Sequence, residues 1–403
     1  MPATSPSNSP GATTLSLRFV DSTHPEPKKK KAHRKSRGGC SSCKKRKVKC
    51  DESSPCANCI RRNETCTQPQ KPSTPETDAS PPARQVDASG PVNLLHMELL
   101  HHFQHATIPT LCFADIWASV MPLAFRADYL MTAMLAVSAR HLSTLGPEDA
   151  VYGEAAMALL SRSCALFGAA LGREDGGGYD PLFFTAQLIH YLAWCNLEFL
   201  DRSGTTLNLS RDQLFLLSSG VRVFLSQTRA QGADSIFARA WQESPCDALD
   251  RLVAEQGTDR AGICKAFMGR YDDLTPDSQD VPYGNAERAA FQGIVERLSV
   301  IMALGKHRET NTQSRPQRSD LERYILAFPL FCSGLFLDMI TANDPRALTV
   351  LYHFYETSRL LLAEETTWWA SDRLNAMPKL IEQEMHRRHM EPWAVGFGPC
   401  KAA

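Results

Sequence analysis

Several ordinary features are missing from this chain of 403 residues. No window approaches the unbroken apolar run of about eighteen residues that a membrane helix needs, so no membrane span is expected. Met1 is followed by PATSPSNSPGATT, which has neither the apolar stretch nor the cleavage pattern of a secretory leader. A reducing compartment is therefore expected, where clustered cysteines point to metal or catalysis rather than to disulfides. The series of alternating strands and hairpin turns that marks a β-fold is absent, and so is any internal repeat in the body of the chain. No nucleophile, base and acid fall into a recognisable order, and no enzyme is expected.

Net charge is also lacking, at 44 Lys and Arg against 44 Asp and Glu, but that balance conceals an asymmetry. Between Lys28 and Cys66 there are fourteen basic residues against three acids, Asp51, Glu52 and Glu64, while the remainder holds 30 basic and 41 acidic side chains. A basic end of +11 joined to an acidic body of −11 is the layout of a nucleic-acid binder with a regulatory domain.

What is present is concentrated in GGCSSCKKRKVKCDESSPCANCIRRNETC, from Gly38 to Cys66. Cys40, Cys43, Cys50, Cys56, Cys59 and Cys66 form a near-repeat: a pair two residues apart, then a third cysteine seven residues after the second, twice over. Each close pair can place two sulfurs on one metal, and zinc takes four ligands in a tetrahedron. Six thiolates complete two sites only if two of them bridge, and symmetry selects Cys40 and Cys56. One zinc is then expected on Cys40, Cys43, Cys50 and Cys56, the other on Cys56, Cys59, Cys66 and Cys40. Two Zn²⁺ and six thiolates leave a formal −2, which the surrounding Lys and Arg offset. With only Val48 and Ile60 as apolar side chains, the segment cannot fold by burial, and the metal supplies on the order of 10 kcal/mol or more per ion. The competing readings are a disulfide knot, a metal-buffering tail, or a metal-dependent enzyme that uses the cysteines chemically.

Between Cys43 and Cys50 runs KKRKVK. Pinned at both ends by metal ligands, it is expected to form about two helical turns with cations on nearly every side, suited to phosphates and to guanine edges in the major groove. This segment resembles the fungal zinc binuclear cluster DNA-binding domain over Cys40 to Cys66, all six cysteines falling within the family spacing. The resemblance implies two short helices, one after each close pair, linked by a loop containing Pro55, with the first helix reading a CGG-like triplet of double-stranded DNA. By the same resemblance Lys47, with Arg46 beside it, reads bases, while Lys44, Lys45, Lys49, Arg61 and Arg62 contact phosphates. A fungal nucleus and contact with the transcription machinery follow as expectations. Upstream, KKKKAHRKSR carries Lys28, Lys29, Lys30, Lys31, Arg34, Lys35 and Arg37, which suits a nuclear import signal or an arm along DNA phosphates.

The expected organisation is a tail over 1–27, the basic arm over 28–39, the zinc cluster over 40–67, a Pro-rich linker over 68–90, and an all-α regulatory domain over 91–403. The linker lacks the leucine heptads that dimerise a coiled coil. In the body, Asn93 caps a helix carrying Leu95, Leu99 and Phe103, and Asp128 opens another that stops at Gly146. Further helices are expected over 148–171, after Asp180-Pro181, over 210–228, 285–304 and 320–340, and after Asp344-Pro345, with each aspartate as a cap. His101 with His105, and His386 with His389, lack a third ligand and read as helix surface. The seven remaining cysteines are scattered, mostly in apolar context, and read as core. EDGGGYD, from Glu174 to Asp180, lacks the lysine of a phosphate loop and reads as a turn. LLHMELLHHF, Trp117 and DYLMTAMLAVSARHL look like the regulatory domain of fungal sterol uptake control proteins and their relatives, many of which sit beside secondary-metabolite gene clusters. That resemblance implies a small lipid or sterol effector and an activator of a biosynthetic gene set. A lipid-sensing module that does not act on genes would leave the basic cluster unexplained.

Overall fold

In the computed structural model the described residues are 39–67, 92–172, 178–200, 207–231, 235–236, 245–274, 284–310, 316–363 and 367–390. They fall into two units, divided between Ser89 and Gly90. The tail, the basic arm through Arg37, the linker and most of EDGGGYD lie outside the described residues.

The first unit holds α1 (Ser41–Lys45) and α2 (Ala57–Arg61). The second is built of α3 (Leu94–His102), α4 (Ala114–Ala124), α5 (Asp128–Leu145), α6 (Ala150–Leu171), α7 (Tyr179–Cys195), α8 (Gln213–Gln231), α9 (Pro245–Glu255), α10 (Arg260–Leu274), α11 (Gly284–Thr310), α12 (Arg318–Phe331), α13 (Leu335–Thr341), α14 (Pro345–Leu361) and α15 (Ser371–Arg387). No strand occurs among the described residues.

Caps set several of the starts. Asn93 accepts from the His96 amide, Asp149 from Val151 and Asp344 from Arg346, with Pro345 in the first turn. Each satisfies an amide that the helix cannot. Asp180 behaves differently. Gly178, at φ +93°, makes the turn into α7, and the Asp180 carboxylate instead accepts from Ser235 Oγ at 2.7 Å and the Ile236 amide at 2.9 Å. The single helix expected over 320–340 is two, α12 and α13, bent by 90°. Pro329 cannot donate one turn back, and Gly334, at φ +59°, reverses the chain before α13.

α7 and α14 are buried on nearly every side, as helices through the centre of a large core must be. Trp194 of α7 packs edge-on against Trp369 with ring centroids 5.3 Å apart, and Phe328 of α12 stacks on Phe354 of α14 at 3.9 Å. One continuous core runs from Leu99 to Met385. α6 reaches the length and mean hydropathy (1.3) of a membrane helix, closer than the sequence reading allowed. Here it lies on α5, where Ser163 Oγ donates to the Tyr129 carbonyl at 3.0 Å. The chain leaves α3 through a π-helical turn, Phe103–Thr107, and a 3₁₀ turn, Ile108–Thr110.

His190 ties three helices together. It lies on α7, its Nε2 donates to the Leu326 carbonyl of α12 at 2.9 Å, and its Nδ1 meets Ser218 Oγ of α8 at 3.5 Å. Burial holds its pKa down at about 4, against an ordinary 6.5. The neutral ring's contribution is complete above pH 6.5 and is lost as pH falls from there towards 4, because the unfolded chain takes up the proton first. Denaturant midpoints followed by tryptophan fluorescence should therefore drop between pH 7.5 and 4.5, and less steeply in His190→Gln; identical slopes for both proteins would refute this role.

Candidate metal centre and nucleic-acid interface

The two short helices of the first unit are built alike, residue i matching residue i + 16. Cys40 and Cys56 are N-caps with extended backbone (φ −60° and −74°), so Cys43 and Cys59 stand at the third helical position. Cap and third residue face one another at a helix start, the relation that a capping box exploits, and this is why two intervening residues suit a ligand pair. The Cys43 amide donates to Cys40 Sγ at 3.4 Å.

Both helices also end alike. The Val48 amide donates to Cys43 O and the Lys47 amide to Lys44 O; the Glu64 amide donates to Cys59 O and the Asn63 amide to Ile60 O, all at 3.1 Å. These pairs are Schellman closures, which need a left-handed residue at their centre. Lys47 (φ +57°) and Asn63 (φ +52°) occupy that place. The reversal returns Cys50 and Cys66 towards the close pairs. The first helix is thus a single five-residue element ending at Lys45, and not two turns running on to Cys50: the third cysteine reaches the metal site only if the chain turns back.

Each half is braced on the other. Ser42 Oγ donates to Thr65 O at 3.0 Å, and its counterpart Asn58 donates to Lys49 O at 2.8 Å. The Ser41 amide donates to Thr67 O at 2.9 Å, and its counterpart, the Ala57 amide, to the Asp51 carboxylate at 3.0 Å. Ala57's amide holds the Asp51 carboxyl below its ordinary range. The three polar side chains in these contacts, Ser42, Asn58 and Asp51, were given no structural role from the sequence, although the 16-residue offset is itself a signal that pairs Ser42 with Asn58.

The structure brings six sulfurs together in two quartets. Cys40, Cys43, Cys50 and Cys56 form one; Cys40, Cys56, Cys59 and Cys66 form the other; within each, all Sγ atoms lie within 4.8 Å of one another. Cys40 and Cys56 belong to both. The Cys40–Cys56, Cys40–Cys59 and Cys43–Cys56 separations are 3.7, 3.6 and 3.7 Å. A tetrahedron with zinc–sulfur bonds of about 2.3 Å has edges of about 3.8 Å, so the donor set fits two zinc ions. Proton affinities in the cluster diverge. The Cys43 amide holds Cys40 down at about 6, while burial pushes Cys43 up to about 12. Six thiolates can share this volume only with cations among them.

Lys44, Lys45, Lys47, Lys49, Arg61 and Arg62 are all exposed. Arg46 is not aligned with them: its guanidinium turns onto the cluster and pairs with Glu64 at 2.8 Å.

In the second unit, the His101 and His105 rings lie with centroids 4.5 Å apart, tilted by 47°, and His386 Nδ1 meets Glu382 O at 3.0 Å. Among the described residues the two cysteine quartets are the only groups of three or more metal-ligating side chains. Cys112, Cys195 and Cys332 are buried, but Cys164 is exposed. A cavity of about 950 Å³ is bounded by Thr110, Phe113, Arg318, Glu322, Arg323 and Trp368. Its wall carries the Arg318–Glu322 ion pair at 2.8 Å and the Arg323 guanidinium 4.3 Å over the Phe113 ring.

Residues 38–75 match the fungal Zn(2)-Cys(6) binuclear cluster domain, and residues 98–193 the fungal specific transcription factor domain. The chain is similar to the Zn(2)-C6 fungal-type transcription factor afumD of Aspergillus fumigatus, 28% identical over 343 residues, covering 81% of this chain and 86% of the relative. It is similar to a Zn(2)-C6 fungal-type transcription factor of Gibberella zeae, 25% identical over 430 residues, covering 85% and 80%. It also resembles sterol uptake control protein 2 of Saccharomyces cerevisiae, 25% identical over 325 residues, covering 75% of this chain but 32% of that protein.

Proposed function

We propose that this chain, a DNA-binding fungal Zn(2)-C6 transcription factor with two zinc ions in its cluster domain, reads a CGG-like triplet in the major groove through Lys47. Transcription factors are not an enzyme class. The six cysteines are the zinc ligands in this reading, Cys40 and Cys56 bridging, and the protein works in the nucleus as a regulator of RNA polymerase II transcription, activating a biosynthetic gene set. Lys44, Lys45, Lys49, Arg61 and Arg62 serve the phosphate backbone, and Lys28 to Arg37 serve import. A small lipid or sterol effector is suggested by the likeness to sterol uptake control protein 2; the cavity beside Thr110 mixes apolar side chains such as Leu111, Phe113 and Trp368 with Arg318, Glu322 and Arg323.

The observation that carries the reading is the backbone of Lys47. A left-handed conformation costs an ordinary side chain roughly 1–2 kcal/mol, and Asn is among the residues that tolerate it best. The second repeat has Asn63 at that place, whereas the first has an exposed lysine. Strain kept at an exposed tip, where glycine would relieve it, favours a functional side chain over a structural one.

Lys47→Ala leaves the strain in place and removes only the cation. It should lose about 1–3 kcal/mol on a CGG duplex and flatten discrimination at the guanines. Arg61→Ala or Arg62→Ala should weaken CGG and scrambled duplexes alike and lower the salt slope by about one unit per lost phosphate contact. If Lys47→Ala weakens both duplexes equally while Arg61→Ala abolishes the preference, α2 is the reader and the assignment fails.

A further inference from the structure

Arg46 breaks the near-symmetry of the two halves. Its counterpart Arg62 is exposed, but the Arg46 side chain is 24% exposed and folds inward. Nε donates to the Ser42 carbonyl one turn back at 3.2 Å. Nη2 lies 3.8 Å from Cys59 Sγ of the other half, and Nη1 2.8 Å from Glu64, the residue after left-handed Asn63. One planar group thus touches the end of α1, a sulfur of the second quartet and the end of α2. Cys59 belongs to one quartet only, so its sulfur keeps lone pairs for an N–H donor.

We propose that Arg46 is a positioning residue of the zinc cluster and not a base reader: its charge offsets part of the cluster's −2, and its fork ties the two halves together. This rests on the two-zinc, DNA-reading assignment above. A guanidinium suits the position because its donors fan out in a fixed plane and reach three acceptors at once, which an ammonium cannot do. Partners of metal ligands set metal retention even without touching the ion. Base reading asks for the opposite arrangement, a cation free to leave the protein surface, and Lys47 next door has it.

The test is zinc release from the full chain to a chelator, followed alongside binding of zinc-saturated protein to a CGG duplex and a scrambled duplex. Arg46→Gln should speed zinc loss about 10-fold or more, in line with the effect of removing such partners, while the preference for CGG stays within a factor of about two. Arg46→Lys, which keeps the charge without the fork, should fall between. Glu64→Gln should also speed zinc loss, and by less when Arg46 is already glutamine, since the two act through one ion pair. Lys47→Gln should do the reverse, retaining zinc and losing preference. Should Arg46→Gln fail to hold zinc at all, Arg46→Lys and Glu64→Gln carry the comparison. Unchanged zinc release with a flattened preference in Arg46→Gln overturns the proposal and makes Arg46 a reader. If the unaltered protein prefers neither duplex, the base-reading assignment is at fault, and the zinc-release arm still decides the role of Arg46.

Discussion

Removing zinc should unfold residues 39–67 and abolish DNA binding while the helical unit keeps its structure. The first unit has no core of its own. Its buried apolar cluster consists of Cys40, Cys43, Cys50, Cys56 and Cys59, with Cys66 against it. The two aliphatic side chains that might have been buried, Val48 and Ile60, are 48% and 62% exposed. With α1 and α2 at five residues each, neither helix survives alone, because nucleation is not recovered in so short a run. The zinc–thiolate bonds are then the folding free energy, on the order of 10 kcal/mol or more per ion. Within the cluster the losses should be graded. Cys56 is fully buried and belongs to both quartets, whereas Cys66 is partly exposed and belongs to one. Cys56→Ser should disturb both ions and Cys66→Ser one, read as zinc content per chain and affinity for a CGG duplex. Equal zinc and equal affinity in the two mutants would show that Cys56 is not shared.

The parts of the fold that were legible are those with local chemical signatures. Asn93 and Asp344 cap helices because a short polar side chain can reach the first free amides, and cysteine spacing reports which sulfurs a helix start can bring together. Asp149 caps α6 in the same way without having been singled out. Backbone reversals were harder. KKRKVK looks uniform, yet it contains the left-handed Lys47, with neither Gly nor Asn to mark it; the mark stands sixteen residues later, at Asn63. In FPLFCSG the proline and glycine that divide α12 from α13 were present but outweighed by the apolar run around them. α4, α9, α10 and α15 were not expected; α4 and α15 each have a proline inside, Pro122 and Pro378, which hid them for a related reason. Arg46 and Asp180 show a second limit: a charged side chain's partner is chosen by tertiary structure, and neither Glu64 nor Ser235 is announced by a nearby residue.

The same limit hides a fully buried ion pair in the helical unit. Nothing in SDRLN marks Arg373, but it is wholly buried, as is Asp212, and the two pair at 2.6 and 3.1 Å through the two terminal guanidinium nitrogens. Its other donors go to the carbonyls of Trp194 at 3.1 Å, Ala193 at 3.1 Å and Asn196 at 2.6 Å. Those carbonyls lie at the C-terminal end of α7, where a helix leaves C=O groups without helical donors, although Ala193 O also accepts from the Asn196 amide at 3.2 Å. The cation supplies them with further donors and faces the negative end of the helix. Asp212 accepts in turn from the Leu214 amide at 3.0 Å, in the first turn of α8. One side chain on α15 thereby fixes the end of α7 to the start of α8. Arg373→Met removes the cation and leaves a buried carboxylate without its counter-charge, held only by the Leu214 amide, and strips the carbonyls of Trp194, Ala193 and Asn196 of their guanidinium donors. It should destabilise the helical unit by about 3–5 kcal/mol, the usual result of breaking a buried pair from one side. Adding Asp212→Leu should recover part of that loss, because the stranded charge goes with it, whereas Arg373→Lys should recover little, lacking the fork. Urea midpoints of these three variants and of Asp212→Leu alone, read by tryptophan fluorescence, decide it. A loss under about 1 kcal/mol for Arg373→Met, or strictly additive effects of Arg373→Met and Asp212→Leu, would mean that the pair does not hold these helices together.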